Sequence, residues 1–134
     1  MKNIPLILTG FFFIAVSGSC KKNILVISPD LTGQWQWEYS IGGLATQTIK
    51  PENNRISLLT FYPDSLFSVT ENGNPSLNGT YYLTTDSISG KVIHFSTGYF
   101  GDPNGEIFII KNNELILTDY MISDGFTYYY KRIK

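Results

Sequence analysis

The sequence predicts an all-β domain, an eight-stranded antiparallel up-and-down barrel that follows an N-terminal signal peptide. Segments in which apolar and polar residues alternate recur from residue 31 onward, whereas no stretch longer than about two turns has helical periodicity. The turns between these segments are alternately short and long, which favours a barrel with one closed and one open end. The chain has 134 residues, which suits one such domain, because two would each be too small to bury a core.

The composition excludes several classes of protein. Only 16% of the residues are charged and 15% are aromatic, which excludes a disordered acidic or basic chain. The formal net charge of −1 leaves no basic surface for nucleic acid. One Cys and one His exclude a disulfide framework and most metal sites built from these residues. We therefore expect no cofactor, no metal and no nucleic-acid partner.

Residues 1–19 have the pattern of a secretory signal peptide. A short basic start is followed by an apolar run over residues 4–16 and by the small residues Ser17, Gly18 and Ser19. The run is shorter than the roughly 20 apolar residues that a transmembrane helix needs.

The residues around Cys20 indicate a lipid anchor. The sequence Ser17-Gly18-Ser19-Cys20 resembles a bacterial lipobox, which implies cleavage before Cys20 and diacylation of its sulfur. Residues 20–31 would then be the lipidated Cys and a tether, and residues 32–134 the barrel domain. The resemblance implies a lipid-anchored protein of the cell envelope, on the outer membrane and facing the periplasm. The alternative is a plain signal peptide, with Cys20 as a free thiol.

Eight segments are predicted to be strands. In the first, Trp35 and Trp37 alternate with Gln34 and Gln36, which is typical of a strand with one packed and one wet face. Turn formers such as Asn112-Asn113 separate the later segments. The predicted strands cover residues 33–41, 56–62, 66–71, 79–85, 91–96, 106–111, 114–120 and 126–133.

The loops predict which end of the barrel is open. If successive strands alternate in direction, the longer loops share one end: residues 42–55, 74–78, 97–105 and 121–125. The shorter connections, at residues 63–65, 86–90 and 112–113, share the other end. We expect residues 42–55 to form a lid over the open end.

The whole of residues 31–134 resembles the compact lipocalin-like domains of bacterial lipoproteins. Gly33-Gln34-Trp35 carries the Gly-x-Trp that opens the first strand of lipocalins, and the long first loop is similar to a lipocalin lid. In lipocalins a late Arg packs over that Trp, so the resemblance implies that Gly33, Trp35 and Arg132 build the barrel floor. This chain is shorter than a classical lipocalin and lacks its C-terminal helix.

Little in the sequence supports enzyme chemistry, and we predict that the protein is not an enzyme. His94 is the sole imidazole, and no nucleophile–base motif or phosphate loop occurs. Carboxylates such as Glu38, Glu71 and Glu106 are expected on the polar faces of strands as solvated charges. Ser65 and Ser87 each lie in an Asp-Ser-aliphatic triplet that could be O-glycosylated, although ordinary turn chemistry is the favoured explanation of both triplets.

The apolar interior and the open end are the candidate binding site. An eight-stranded barrel is either filled by its side chains or holds one small ligand. Both alternatives stay open: a small apolar or amphipathic ligand inside, or a packed barrel whose open-end loops bind an envelope protein as an interaction or inhibitor module. The candidate ligand-binding residues are Trp37, Tyr39, Ile41, Leu44, Tyr81, Tyr99, Phe100, Met121 and Tyr128.

Overall fold

The computed structural model describes residues 31–98 and 104–134. The predicted signal peptide, Cys20, nearly all of the tether, Tyr99 and Phe100 lie outside the described residues. Within the described ranges, no helix is long and apolar enough to cross a membrane. The strands are β1 (Gly33–Gly42), β2 (Gln47–Ile49), β3 (Ser57–Phe61), β4 (Leu66–Glu71), β5 (Asn74–Asp86), β6 (Gly90–Phe95), β7 (Glu106–Lys111), β8 (Glu114–Asp119) and β9 (Phe126–Arg132).

Eight of these strands close an antiparallel barrel. β1 pairs with β3, each strand from β4 to β9 pairs with the one before it, and β9 returns to pair with β1. The eight-stranded up-and-down barrel predicted from the sequence is therefore confirmed. The additional strand β2 pairs only with Ser40, Ile41 and Gly42 at the far end of β1, and it lies within the predicted lid.

The predicted strand boundaries agree with the structure within one residue, except that β2 was not predicted and β5 begins early. Residues 74–78, predicted as an open-end loop, are the first part of β5. The β4–β5 turn is only Asn72-Gly73, both with positive φ (51° and 79°), as in a tight hairpin. Pro75 is tolerated in β5 because it pairs with Thr70 at a register shift.

The inward side chains form a single apolar core. It combines aromatic and aliphatic residues from all eight barrel strands, which is the arrangement expected for a small filled barrel. The buried members are Leu31, Trp35, Leu59, Phe61, Phe67, Val69, Tyr81, Ile93, Phe108, Leu115, Leu117 and Tyr130.

Tyr39 and Ile41, which the strand alternation predicted to face inward, face outward instead. Trp37 pairs with Tyr130 of β9, but Tyr39 pairs with the very next residue of β9, Tyr129. One extra residue is thus inserted in β1, and a bulge of this kind reverses which side chains face the core.

The side chains beyond the bulge show the reversal directly. Tyr39 stacks on Tyr129 on the outer wall, with ring centroids 4.4 Å apart. Desolvation, with a smaller contribution from Tyr129, raises the pKa of Tyr39 above its ordinary value. Ser40, which is only 2% exposed, takes the inward position opposite Tyr128. Tyr39 and Ile41 therefore do not line the interior.

Candidate functional site

The closed end of the barrel is sealed around Trp35. Its indole Nε1 donates a hydrogen bond to the carbonyl of Leu31 (2.8 Å). The Arg132 guanidinium lies 4.1 Å from the centroid of the Trp35 ring, and its Nη1 donates to the carbonyl of Thr32 (2.8 Å). The contact expected between Trp35 and Arg132 is therefore present.

Above the floor, the interior is filled by aromatic contacts. Phe61 packs edge-on against Tyr81, with centroids 5.0 Å apart, and Phe67 packs in the same way against Phe95 at 4.8 Å. Such pairs add to the energy of burial and leave little freedom to the rings. The lower half of the interior is therefore a packed core, and Phe95, the last residue of β6 and only partly buried, packs on it from the open-end side.

Tyr81 belongs to this packed part rather than to the mouth. It is 3% exposed, and its hydroxyl donates to the carbonyl of Tyr62 (3.3 Å), which lies beside the closed-end turn. Burial and the negative charge of Asp64 raise the pKa of Tyr81. The polar partner that a buried Tyr needs is thus supplied by backbone, and a ligand is not required to supply it.

Towards the open end, the inward side chains are only partly buried. Trp37, Leu77, Phe95 and Tyr128 pack on the core but keep exposed surface. Two other partly buried core residues, Leu83 and Ile110, lie near the closed-end turns. The four open-end residues form what we call the aromatic wall, and Trp37 and Tyr128 are the predicted binding residues that the structure brings together there.

A polar group lies beside the aromatic wall. The indole Nε1 of Trp37 donates to the hydroxyl of Ser40 at 2.9 Å, and Ser40 lies opposite Tyr128 on β9. Phe126 lies near Tyr128, with ring centroids 6.1 Å apart. The upper interior therefore presents aromatic rings with a buried hydroxyl beside them, a surface suited to an amphipathic molecule.

Two carboxylates lie on the inner face of the barrel, contrary to the expectation that Glu106 is solvated. Glu106 is 1% exposed and lies directly opposite Asp119 on the β7–β8 ladder. Asp119 Oδ2 accepts a hydrogen bond from the amide of Phe126 (2.7 Å). The signal was present in the sequence, because Glu106 has the same strand parity as Phe108, and Asp119 the same as Leu117.

The lid is held where it rejoins the barrel. Arg55 and Glu71 form an ion pair of 2.9 Å, and the Asn72 side-chain oxygen accepts from the amide of Ile56 (2.7 Å). Glu71 is therefore paired at the mouth and not free on a polar face. The exposed start of the lid, which includes Leu44 (93% exposed), is held to the barrel by the short strand β2.

The remaining candidates lie apart from the interior. Met121 is 78% exposed on the β8–β9 loop. His94 stacks on Tyr82 on the outer wall, with centroids 4.6 Å apart, and its Nε2 lies 2.9 Å from the hydroxyl of Thr84. Among the described residues, no group of three or more His, Cys, Asp or Glu side chains could hold a metal ion.

The two serines of the possible glycosylation triplets lie in closed-end turns. Ser87 is exposed, whereas Ser65 is partly buried and has a positive φ of 64°. Of the two hydroxyls, that of Ser87 is therefore the more accessible.

Comparison of the chain with protein-family models, with curated proteins and with solved structures gave no match.

Proposed function

We propose that this protein is a lipid-anchored barrel of the cell envelope that binds a small apolar or amphipathic molecule at its open end. The observation that carries the proposal is the aromatic wall: Trp37, Leu77, Phe95 and Tyr128 face inward and remain partly exposed above a packed floor. A site of this kind, mostly apolar with a few placed polar groups, is typical of small-molecule binding.

The energetics favour such a ligand. Covering the remaining apolar surface of the wall contributes about 25 cal/mol for each Å² removed from water. The rings of Phe95 and Trp37 rest on the packed core, so little conformational entropy is lost when a ligand covers them. The Ser40 hydroxyl, which already accepts from Trp37, can donate its own proton to an acceptor on the ligand.

The entry route would run beneath the lid. Strand β2 is exposed at all three positions and pairs with β1 through only three residues. Segments with few buried contacts open at low free-energy cost. The ion pair between Arg55 and Glu71 would hold the far end of the lid during such an opening.

The bulge in β1 supplies a matched pair of variants for the test. Trp37→Ala removes an inward ring, whereas Tyr39→Ala removes a ring of the same strand that faces outward. The full chain, purified from membranes, is analysed by native mass spectrometry and solvent extraction. We expect an extractable small molecule on the unaltered protein and on Tyr39→Ala, and its loss from Trp37→Ala. An unoccupied protein that binds no member of a fatty-acid panel would overturn the proposal.

The envelope location rests on the resemblance of residues 17–20 to a lipobox, and it has its own test. Cells grown with an alkyne analogue of palmitate should label the unaltered chain. The Cys20→Ala variant should remain unlabelled and should leave the membrane fraction. Equal labelling of both chains would overturn the anchor without bearing on the interior site.

A second candidate function is binding of an envelope protein through the open-end loops. Leu44 and Met121 favour it, because they are 93% and 78% exposed on two loops at that end. Exposed apolar side chains on loops are common in binding surfaces. Replacement of both by Asp should abolish partner capture in this case and leave any extractable small molecule in place.

A further inference from the structure

A groove lies on the outside of the barrel, beside the closed-end turn at residues 63–65. Its volume is about 370 Å³, within the usual range of small-molecule sites, about 300–1,000 Å³. The side chains that line it come from the residue directly after β3 and from the outer faces of β4 and β5. They are Tyr62, Leu66, Ser68, Asn78 and Thr80.

The strand register builds one wall of the groove. Leu66 pairs with Thr80, and Ser68 pairs with Asn78, so these four side chains lie on one face of the β4–β5 ladder. An apolar group thus stands beside a hydroxyl, and a second hydroxyl stands beside an amide.

The other wall is the ring of Tyr62, which is 43% exposed. Its hydroxyl lies 3.2 Å from the Ser68 hydroxyl, and its amide donates to the carbonyl of Leu66 (2.9 Å). Both ends of this residue are therefore fixed to β4. The ring is held in one orientation before any ligand arrives, which lowers the entropic cost of binding.

The groove has a rigid base at Gly79 and Phe67. A Cβ atom on Gly79 would lie 2.9 Å from the ring of Phe67 and 2.6 Å from the hydroxyl of Ser96. The backbone of β5 approaches its neighbours this closely because residue 79 has no side chain. The amide of Thr80 also donates to the Ser96 hydroxyl (2.9 Å), so the strand beneath the groove is fixed.

The chemistry of the lining favours one class of ligand. None of the lining residues carries a charge, so an ionic ligand would find no counter-charge in the groove. A purely apolar ligand would remove water from the Ser68 and Thr80 hydroxyls and from the Asn78 amide without replacing their hydrogen bonds. A neutral saccharide fits both conditions, since its C–H face packs on an aromatic ring and its hydroxyls both donate and accept.

We infer that this groove binds a neutral saccharide, with its ring against Tyr62 and its hydroxyls toward Ser68, Asn78 and Thr80. The groove lies on the outer surface of the barrel and shares no residue with the aromatic wall at the open end. It is therefore independent of the function proposed above.

The test measures binding of neutral oligosaccharides to the full chain in a detergent that has no sugar headgroup. Cellotetraose, maltotetraose and triacetylchitotriose are the probes, and isothermal calorimetry is the readout. Tyr62→Ala should weaken binding at least about tenfold, or about 1.4 kcal/mol. Tyr82→Ala is the matched control, because Tyr82 is a similarly exposed Tyr (50%) of the outer wall that does not line the groove.

If Tyr62→Ala fails to fold, Asn78→Ala replaces it, since Asn78 is exposed and should also weaken binding. Trp37→Ala should leave saccharide binding unchanged. The inference is overturned if none of the three saccharides binds at about 10 mM. Equal binding by the groove variants and Tyr82→Ala would also overturn it.

Discussion

Arg132, the last residue of β9, covers the ring of Trp35 near the start of β1, with 4.1 Å between the guanidinium carbon and the ring centroid. The two residues are direct partners on the β1–β9 ladder, which closes the barrel. The same guanidinium donates to the carbonyl of Thr32. Arg132 thus belongs to the strand pair that closes the barrel, and its side chain also covers the barrel floor at Trp35.

Removal of this guanidinium should destabilise the whole barrel. Arg132→Met keeps most of the side-chain volume but loses a cation–π contact worth about 0.5–2 kcal/mol and a charged hydrogen bond worth about 1.5–3 kcal/mol. Because hydrogen bonds to water recover part of this energy, we expect the free energy of unfolding to fall by about 1–3 kcal/mol. Urea unfolding followed by Trp fluorescence measures this change. Lys131→Met, on the exposed neighbouring residue, is the control. Equal stability of both variants would contradict a closing role for Arg132.

Gly33 should tolerate no side chain. Its φ is +133°, and a Cβ atom would collide with the backbone carbonyl of Lys134. We expect Gly33→Ala to lower the free energy of unfolding by more than about 1 kcal/mol, because both strain and collision oppose the change. Gly98→Ala is the matched control, since none of the residues that the structure describes lies within 4 Å of the added atom there. Similar urea midpoints for the two variants would disprove the steric argument.

The barrel could be predicted from the sequence because apolar and polar residues alternate within each strand, and this pattern is visible without knowing which strands pair. The bulge between Trp37 and Tyr39 could not be predicted, because the inserted residue does not disturb the alternation of apolar and polar residues in β1. It is visible only in the pairing of β1 with β9. For this reason the sequence placed Tyr39 and Ile41 inside.

The inward carboxylates were missed for a different reason. Glu106 was expected to be solvated because it is charged. Phe108, two residues later on the same strand, points to the same face and lies in the core. Likewise, Asn, Pro and Ser at residues 74–78 indicated a loop, whereas the tight Asn72-Gly73 turn lets β5 start at once. Turn-forming residues within a strand are tolerated where a register shift relieves them.

Asp119 should matter through its hydrogen bond rather than through its charge. Its Oδ2 accepts from the amide of Phe126 and so fixes the start of β9. Asp119→Ala should destabilise the barrel by about 1–2 kcal/mol, whereas Asp119→Asn keeps an acceptor at the same place and should cost less. Chemical denaturation of both variants checks this. Equal losses would show that the carboxylate acts by charge.

Asp86 should make stability depend on pH. Its Oδ1 accepts from the amides of Ser89 (2.7 Å) and Ile88 (3.0 Å) in the β5–β6 turn. The bond from Ser89, followed by that from Ile88, lowers the pKa of Asp86 below its ordinary value. A carboxyl whose pKa is lower in the folded state binds protons more readily when unfolded. Its contribution is therefore present above the unfolded pKa of about 3.9 and is lost as pH falls through the folded value.

The Asp86→Asn variant isolates this contribution. An amide oxygen accepts the same two bonds but does not titrate over this range. We expect the unaltered protein to lose more stability than Asp86→Asn between pH 5 and the acid limit of folding, in urea titrations at matched ionic strength. Asp124→Asn, at an exposed loop position, is the control for the removal of one carboxylate. Parallel pH profiles for the unaltered protein and Asp86→Asn would show that the turn makes no titratable contribution to folding.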